Sequence, residues 1–295
     1  MMEGKENKMK SNKRIEKISK FIRLLFKRKI VVIGVIGVVF FTLLAILAPI
    51  LSPYDPNKVD FAAYLTKPSM EHLLGTDMHG RDVFSRIIYG TRVSLIIGLL
   101  AVVIACAIGS VLGMVAGYFG GIIDDIITRF TEAIRAIPQI ILAMALTAVF
   151  GGGIRNIAII LGISNVAAYI RMMRGQVYSV KEADYIMASK LQGVSNLGIM
   201  FKHILPNAIS PIIVLMTQQV GGTILAESGL SFLGLGISAP TASWGTMVSE
   251  GRNFLLDNPV ISLAPGICVA LLVICLNMFG DGIRDALDPR LRGEL

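Results

Sequence analysis

The side chains that could do chemistry in this sequence avoid its long apolar stretches. Five such stretches contain no Asp, Glu, Lys, Arg or His: residues 96–118, 140–150, 157–170, 208–226 and 260–279. A proton-coupled carrier needs ionisable groups at membrane depth, so this pattern argues against transport driven by side-chain protonation. A sodium-coupled carrier built on backbone carbonyls stays open.

Motifs for catalysis and metal binding are also missing from the sequence. There is no GxxxxGK[ST] loop for nucleotide phosphates, and no HExxH or paired acid inside an apolar stretch. The histidines are too scattered to predict a metal site: His72, His79 and His203. The cysteines fall inside predicted spans, where we interpret them as small core side chains: Cys106, Cys268 and Cys275.

The polar residues at membrane depth are amides and hydroxyls. In a transport pathway, such weak dipoles would let a solute pass without holding it tightly. Alternatively, they satisfy one another between helices. The candidates for lining a pathway are Gln139, Asn165, Gln218, Gln219 and Glu227.

The composition predicts an all-α polytopic membrane protein. The chain is 54% hydrophobic and 16% charged, whereas a soluble domain carries about 25% charged residues. The net charge of +8 is concentrated in residues 1–30. A basic tail beside an apolar run marks the cytoplasmic side and can contact anionic lipid. Nothing predicts nucleic-acid binding, because no basic folded face is apparent.

Six transmembrane helices close the topology with both termini in the cytoplasm. Their predicted limits are 30–51, 93–118, 137–150, 154–170, 208–226 and 260–279. The division that follows is a basic cytoplasmic tail (1–29), a first span (30–51), an extracytoplasmic segment (52–92), a five-helix core (93–283) and a cytoplasmic tail (284–295). We expect an amphipathic inner loop over residues 119–136 and external loops over 151–153 and 227–259.

Glycine spacing in the second span predicts close helix packing. Gly109, Gly113 and Gly117 recur every four residues and therefore form one smooth stripe. A stripe of this kind lets another helix approach at backbone distance.

The stretch from Glu182 to Asn207 is the longest polar insert between apolar segments on the predicted inner side. Helical spacing over 181–192 is followed by Gly193, which suits the left-handed residue that ends a helix. Ser195 or Asn196 can cap a second short helix, and we expect Pro206 to end it.

The same stretch resembles the coupling loop of ABC-importer permeases, in which Glu-Ala-Ala, three residues, Gly, nine residues and Ile-x-Leu-Pro follow one another. The sequence departs from that pattern at Met187, Ser189 and His203. The resemblance implies that this loop docks into an ATP-binding subunit. The residues to which it assigns coupling are Glu182, Asp184, Tyr185, Ala188, Ser189, Gly193, His203, Leu205 and Pro206.

Two predicted external segments resemble the second permease type of dipeptide, oligopeptide and nickel importers. They read LGTDMHGRDVFSR from Leu74 and ESGLSFLGLG from Glu227, the latter followed by Ser243-Trp244-Gly245. The resemblance implies that these segments face a solute-binding protein, although Trp244 could equally be an interfacial anchor. The binding-protein-facing candidates are Gly75, Thr76, Asp77, Gly80, Arg81, Asp82 and Trp244.

The family resemblance implies a type I ABC-importer transmembrane domain in the inner membrane of a prokaryote. It also implies a homologous second permease, against which the first span would lie, two ATP-binding subunits that hold ATP and Mg²⁺, and an extracytoplasmic binding protein. This chain itself would bind no cofactor and catalyse no reaction. The cargo stays open between peptides, which are favoured, and nickel or another small solute. A stand-alone channel or ion-coupled carrier, or a membrane scaffold, is the alternative.

Overall fold

The computed structural model describes Phe26 and residues 28–287, and nearly all of the ordered structure in them is helical. The α-helices, numbered in chain order, are α1 Lys29–Ile46, α2 Ala48–Leu51, α3 Val83–Phe119, α4 Gly121–Arg135, α5 Gln139–Phe150, α6 Ile154–Val180, α7 Asp184–Leu191, α8 Asn196–Ile199, α9 Leu205–Phe232, α10 Trp244–Gly251 and α11 Val260–Leu287. The predicted all-α fold is confirmed. Most of the predicted basic tail and residues 288–295 lie outside the described residues.

Five of these helical stretches are long and apolar enough to cross a membrane: α1, α3, α6, α11, and α9 together with α8 and the turn between them. A sixth span requires α4 and α5 together, and these two helices are bent by 88° at their junction. At 12 residues, α5 is about 18 Å long, while a bilayer core is about 30 Å thick. The predicted six spans agree with the structure when this broken pair counts as one.

The amphipathic helix α4 lies beside α6 instead of standing apart as an inner loop. Its outward face is apolar and exposed, with Ile126 and Phe130. At the C-terminal end of α4, Glu132 and Arg135 line a cavity of about 290 Å³, and Ile170 of α6 lines the same cavity. Charged side chains therefore reach the part of α6 that the sequence places in an uncharged span.

The second span begins at Val83, ten residues earlier than the predicted limit of Val93. The Asp82 carboxylate caps the helix by accepting a hydrogen bond from the Ser85 backbone N–H, at 2.7 Å. The polar side chains that suggested an external loop are instead buried in the first turns of α3, including Arg86. Predicted segment 52–92 is therefore partly helical.

The glycine stripe of α3 packs against α6. A β-carbon on Gly113 would lie 2.4 Å from the Ile170 carbonyl oxygen, and one on Gly109 would lie 2.7 Å from the Val166 carbonyl oxygen. A β-carbon on Gly117 would lie 2.8 Å from Cβ of Val177. These distances are too short for any side chain, so glycine is what allows the two backbones to touch.

The first span packs on the last helix of its own chain. Gly34 and Gly37 of α1 lie against Met278 and Cys275 of α11, where a β-carbon would come within 2.7 and 2.2 Å of them. The opposite side of α1 carries exposed apolar side chains such as Ile36. Any contact with a second permease would use that outer side.

Two predictions about prolines are wrong: that Pro206 ends a helix, and that Pro211 lies in the first turn of the fifth span. Pro206 does not end a helix, because α8, the π-helical turn Met200–Ile204 and α9 run on without a break. Pro206 therefore lies inside this continuous helix, at the second position of α9 and directly after the π-helical turn. Pro211, expected in a first turn, lies inside α9.

Candidate coupling elbow and outer cap

Residues 181–207, which we call the elbow, form two short helices joined by a tight turn. Gly193 ends the first with a φ of +76°, in the left-handed region that glycine adopts without strain. The Ser195 hydroxyl caps the second by accepting a hydrogen bond from the Gly198 backbone N–H, at 3.2 Å. Three fully buried side chains anchor the elbow to the helices: Ile186, Ile199 and Ile204.

The elbow residues predicted to couple divide by exposure. The solvent-exposed ones are Glu182, Asp184, Tyr185, Ala188, Gly193 and Pro206. Ser189, His203 and Leu205 are partly or fully buried. The Ser189 hydroxyl donates a hydrogen bond to the Tyr185 carbonyl oxygen. The sequence analysis missed the exposed apolar side chains: Leu191 is 85% exposed, and Met187 and Leu197 are also exposed.

The elbow is tied to the end of α3. Tyr118 donates a hydrogen bond to the Asn196 side-chain oxygen at 2.8 Å, and the Lys181 ammonium donates one to the Gly117 carbonyl oxygen at 3.2 Å. Since α3 contains 37 residues, it is about 55 Å long. A movement of the elbow therefore acts directly on a helix that spans the whole protein.

A buried carboxylate fastens α4 to the same end of α6. Asp124 accepts hydrogen bonds from Nε and Nη2 of Arg174, the latter at 2.6 Å, and from the Tyr178 hydroxyl at 2.6 Å. Lys181 lies 4.2 Å from the centre of the Tyr178 ring. This charged cluster links the broken span to the start of the elbow.

At the other end of α3, residues 52–82 and 233–259 form what we call the outer cap. A buried ion cluster joins its two halves. Arg81 donates to the Asp77 carboxylate at 2.6 Å and to Glu250 at 2.8 Å. Arg86, 1% exposed, donates to the carbonyl oxygens of Pro56 and Pro240.

The turn that contains Gly75 and Gly80, in the first half of the cap, is also buried. Gly75 and Gly80 have φ values of +76° and +71°, and a β-carbon on Gly80 would lie 1.7 Å from the Asp60 carbonyl oxygen. The Thr76 hydroxyl donates to the Ala63 carbonyl oxygen. The motif residues predicted to face a binding protein are all buried within this chain: Gly75, Thr76, Asp77, Gly80, Arg81 and Asp82.

Trp244 corrects both predictions made for it. The side chain is fully buried, so it contacts neither a binding protein nor the lipid surface. Its indole N–H donates to the Ile87 carbonyl oxygen at 3.0 Å, and its ring packs over Gly90 and against Phe41. The tryptophan thus holds the cap to α1 and α3.

The exposed surface of the cap also carries large apolar side chains that lie outside the two motifs. Met70 and Leu256 are 96% and 100% exposed. Phe61, Tyr64 and Leu73 are among the others. Their signal in the sequence is weak, because isolated apolar residues in a polar loop have no periodicity.

Glu227 is not available to a pathway. The side chain is fully buried, and its carboxylate accepts hydrogen bonds from the hydroxyls of Ser231 at 2.8 Å and Ser243 at 2.9 Å. Ser94 and Ser228 lie at 3.4 Å. The carboxylate therefore joins α3 and α9 to the outer cap.

The other pathway candidates separate into two groups. Gln139 donates to the Asn165 side-chain oxygen at 3.0 Å, and Asn165 donates to the Thr223 hydroxyl at 3.4 Å, so these residues largely satisfy one another. Gln139, Asn165 and Gln219 line a cavity of about 230 Å³ beside the bend between α4 and α5. Gln218 lines a separate and larger cavity.

The fold brings together one group of possible metal ligands that the sequence did not suggest. Atoms of Asp77, His79 and Glu250 lie within 4.8 Å of one another. Both carboxylates already bind the Arg81 guanidinium. The Arg86 guanidinium also lies 3.5 Å from Asp77. Because these two cations already pair with the carboxylates, we assign no metal to this group.

Comparisons with known proteins agree with this arrangement. Residues 109–293 match the family described as binding-protein-dependent transport system inner membrane component, and residues 18–68 match the N-terminal transmembrane domain of oligopeptide transport permease C. A chain of the methionine ABC transporter MetNI, in inward-facing conformations, shares the fold with a TM-score of 0.56 at 18% identity. That match covers 69% of this chain and 96% of the other.

The sequence relatives cover almost the whole chain. The dipeptide transport system permease protein DppC of Alkalihalophilus pseudofirmus is 44% identical over 90% of this chain and 88% of its own length. The glutathione transport system permease protein GsiD of Salmonella typhimurium is 43% identical over 85% and 83%. The probable D,D-dipeptide transport system permease protein DdpC of Escherichia coli is 39% identical over 94% and 93%. This chain belongs to the family of binding-protein-dependent transport system inner membrane components, the permease subunits of ABC importers.

Proposed function

We propose that this chain is the permease subunit of an ATP-driven importer that carries di- or oligopeptides into the cytoplasm. The similar permeases named above are described as transporting dipeptides, D,D-dipeptides and glutathione. All of these cargoes are short peptides with free carboxylates. Nickel or another small solute is the alternative cargo for the same machinery.

The assembly that we propose contains four kinds of subunit. A homologous second permease completes the pathway, and two ATP-binding subunits hold ATP and Mg²⁺ at the inner face. An extracytoplasmic binding protein delivers cargo to the outer cap. Lipid covers the exposed apolar side chains of the spans.

The observation that carries this proposal is the construction of the elbow. Its inner side is anchored by fully buried isoleucines, while Leu191 and Met187 project into solvent. Exposed apolar side chains on a rigid support are typical of a protein interface. Three basic residues, Lys27, Arg28 and Lys29, stand at the start of α1 in the sequence. Three more lie in the elbow: Lys181, Lys190 and Lys202. This distribution supports a cytoplasmic position for the elbow.

In the proposed cycle, ATP binding closes the two ATP-binding subunits and moves the elbows docked in them. The elbow connects α6 to α9 and is bonded to the end of α3 through Tyr118 and Lys181. Its displacement therefore tilts these three helices together. The pathway changes from inward-open to outward-open, and the binding protein releases its cargo into it.

The test compares two equally drastic surface changes at opposite ends of the chain. The complete transporter is reconstituted in proteoliposomes with its binding protein, and peptide uptake and ATP hydrolysis are measured for Leu191→Glu and Leu256→Glu. We expect Leu191→Glu to abolish uptake and to weaken co-purification of the ATP-binding subunits. Leu256→Glu should keep those subunits, because it lies in the outer cap.

Two results would contradict the proposal. One is wild-type uptake and wild-type association of the ATP-binding subunits in Leu191→Glu. The other is uptake of peptide by vesicles that contain this chain alone, which would favour a stand-alone carrier.

A further inference from the structure

A large cavity lies at the elbow end of the helices, between α6, α9 and α11. Its volume is about 620 Å³, which is within the range of about 300–1,000 Å³ for small-molecule sites. Met172 and Gln176 line it from α6, and Arg284 and Leu287 line it from α11. The remaining lining residues belong to α9: Asn207, Ser210, Pro211, Val214, Leu215 and Gln218.

The polar lining of this cavity suits a carboxylate. Among the described residues that line the cavity, Arg284 is the one charged side chain and none is acidic. Gln176, Gln218 and Ser210 add neutral donors from two helices. A guanidinium with neutral donors around it is the usual protein partner of a carboxylate, because its paired N–H groups match the two oxygens.

The helix α9 also offers an acceptor for a cation on the same wall. Pro211 lies inside α9 and has no N–H to donate to the carbonyl oxygen of Asn207, four residues earlier. Both residues line the cavity. An ammonium group can use a backbone carbonyl that lacks its helical partner. The cavity thus combines a cation for a carboxylate with a carbonyl for an amine.

We infer that this cavity binds a short zwitterionic peptide, with the peptide's carboxylate at Arg284 and its amino group near the Asn207 carbonyl oxygen. The inference rests on the proposed function and gives it an inner subsite, from which cargo leaves for the cytoplasm. Its apolar residues, such as Met172, Val214 and Leu215, accept varied side chains without selecting among them.

Asn207, the last residue of the elbow, also lines the cavity. The Asn207 amide donates to the His203 carbonyl oxygen at 2.7 Å and to the Tyr185 hydroxyl at 3.3 Å. Tyr185 lies on the exposed side of the elbow. A peptide in the cavity therefore contacts the same residue that braces the predicted ATPase-docking surface.

The experiment measures binding to the assembled transporter in nanodiscs, without binding protein and without nucleotide. The probe is radiolabelled Ala-Ala, and the competitor is Ala-Ala amide, which lacks the carboxylate. Arg284→Gln should weaken Ala-Ala binding at least tenfold, and Arg284→Lys, which keeps the charge but loses the paired N–H groups, should weaken it less. Arg129→Gln is the matched control, because Arg129 is an exposed inner-side cation that pairs only loosely with Glu132, at 3.7 Å.

A second variant distinguishes a loss of binding from a loss of folding. Gln176→Leu removes a donor from the opposite wall and should weaken binding severalfold, while the melting temperature and subunit composition stay as in the wild type. Equal binding by Arg284→Gln and wild type, or equal competition by Ala-Ala amide, would overturn the inference. So would binding that appears only at tens of millimolar probe.

The proposed function has its own readout, with the same purified complex reconstituted in proteoliposomes. Uptake of Ala-Ala by the wild-type complex, with ATP and binding protein present, tests import independently of the cavity. If the wild type imports peptide but Arg284→Gln binds normally, only the subsite is lost. If the wild type imports no peptide, the proposed function fails whatever the binding data show.

Discussion

Replacing Gly113 by alanine tests the close contact between α3 and α6 with one added methyl group. The new β-carbon would lie 2.4 Å from the Ile170 carbonyl oxygen, where about 3.4 Å is the shortest ordinary distance. The two backbones must therefore separate by about 1 Å. Because the obstacle is backbone on a packed helix, rotation of a side chain cannot relieve it.

The expected cost combines two opposing effects. Overpacking of a tight contact costs about 1–3 kcal/mol, and alanine gains up to about 1 kcal/mol over glycine in helix propensity. A net loss of about 1–2 kcal/mol remains. At about 2–4 °C per kcal/mol, the melting temperature should fall by about 2–8 °C.

Gly175→Ala is the matched control for this substitution. Gly175 lies on α6, and nothing comes within 4 Å of an added β-carbon there. The control should keep or slightly raise the melting temperature, because only the propensity gain applies. Unfolding can be followed with a thiol-reactive dye, since Cys106, Cys268 and Cys275 are free and half-buried. A melting temperature for Gly113→Ala equal to that of Gly175→Ala would refute the packing argument.

Two further substitutions test the elbow and its attachment. Gly193→Leu should leave insertion unchanged but lower peptide uptake and stimulated ATPase activity, because a side chain at φ +76° costs about 1–2 kcal/mol although the space around it is open. Gln192→Leu adds the same bulk at an ordinary φ, so an equal loss of uptake in both variants would contradict a backbone cause. Asp124→Asn should speed amide hydrogen exchange across residues 121–135, because the charged hydrogen bonds to Arg174 are worth about 1.5–3 kcal/mol each. Asp125→Asn, at the exposed neighbouring position, is the control, and equal exchange in the two variants would count against the cluster.

Local sequence patterns were sufficient to predict the membrane spans and the turns of the elbow. Long uncharged runs must be helical in a bilayer, because only a helix satisfies its own backbone hydrogen bonds there. The spacing of Gly109, Gly113 and Gly117 marks a close contact, although the sequence does not name α6 as the partner. Gly193 and Ser195 act through backbone geometry within a few residues, so their conformations follow from local chemistry.

Features that depend on distant parts of the chain were not predictable in this way. The polar run before residue 93 predicts an external loop. In the structure, however, Arg86 is buried and bonds to the carbonyl oxygens of residues 56 and 240, and Trp244 is buried and bonds to that of residue 87. Glu227 is predicted to line a pathway, but it is buried among serines that come from three separate segments. Partners so distant in the chain are not recognisable from the sequence around Glu227. The type of a polar residue does not determine whether it is buried, because a polar side chain can be buried wherever the fold supplies hydrogen-bond partners for it.

The sequence by itself determined that the chain is helical, membrane-spanning and turned at Gly193, because hydrophobicity and backbone preference act over a few residues. Only the tertiary structure decided that α4 and α5 meet at an 88° bend, that the outer-cap motif is buried, and that Arg284 shares a cavity with Gln176 and Asn207. These residues are separated by up to about a hundred positions in the chain. Their proximity follows from which helix faces pack together, and packing depends on the shape of both partners at once.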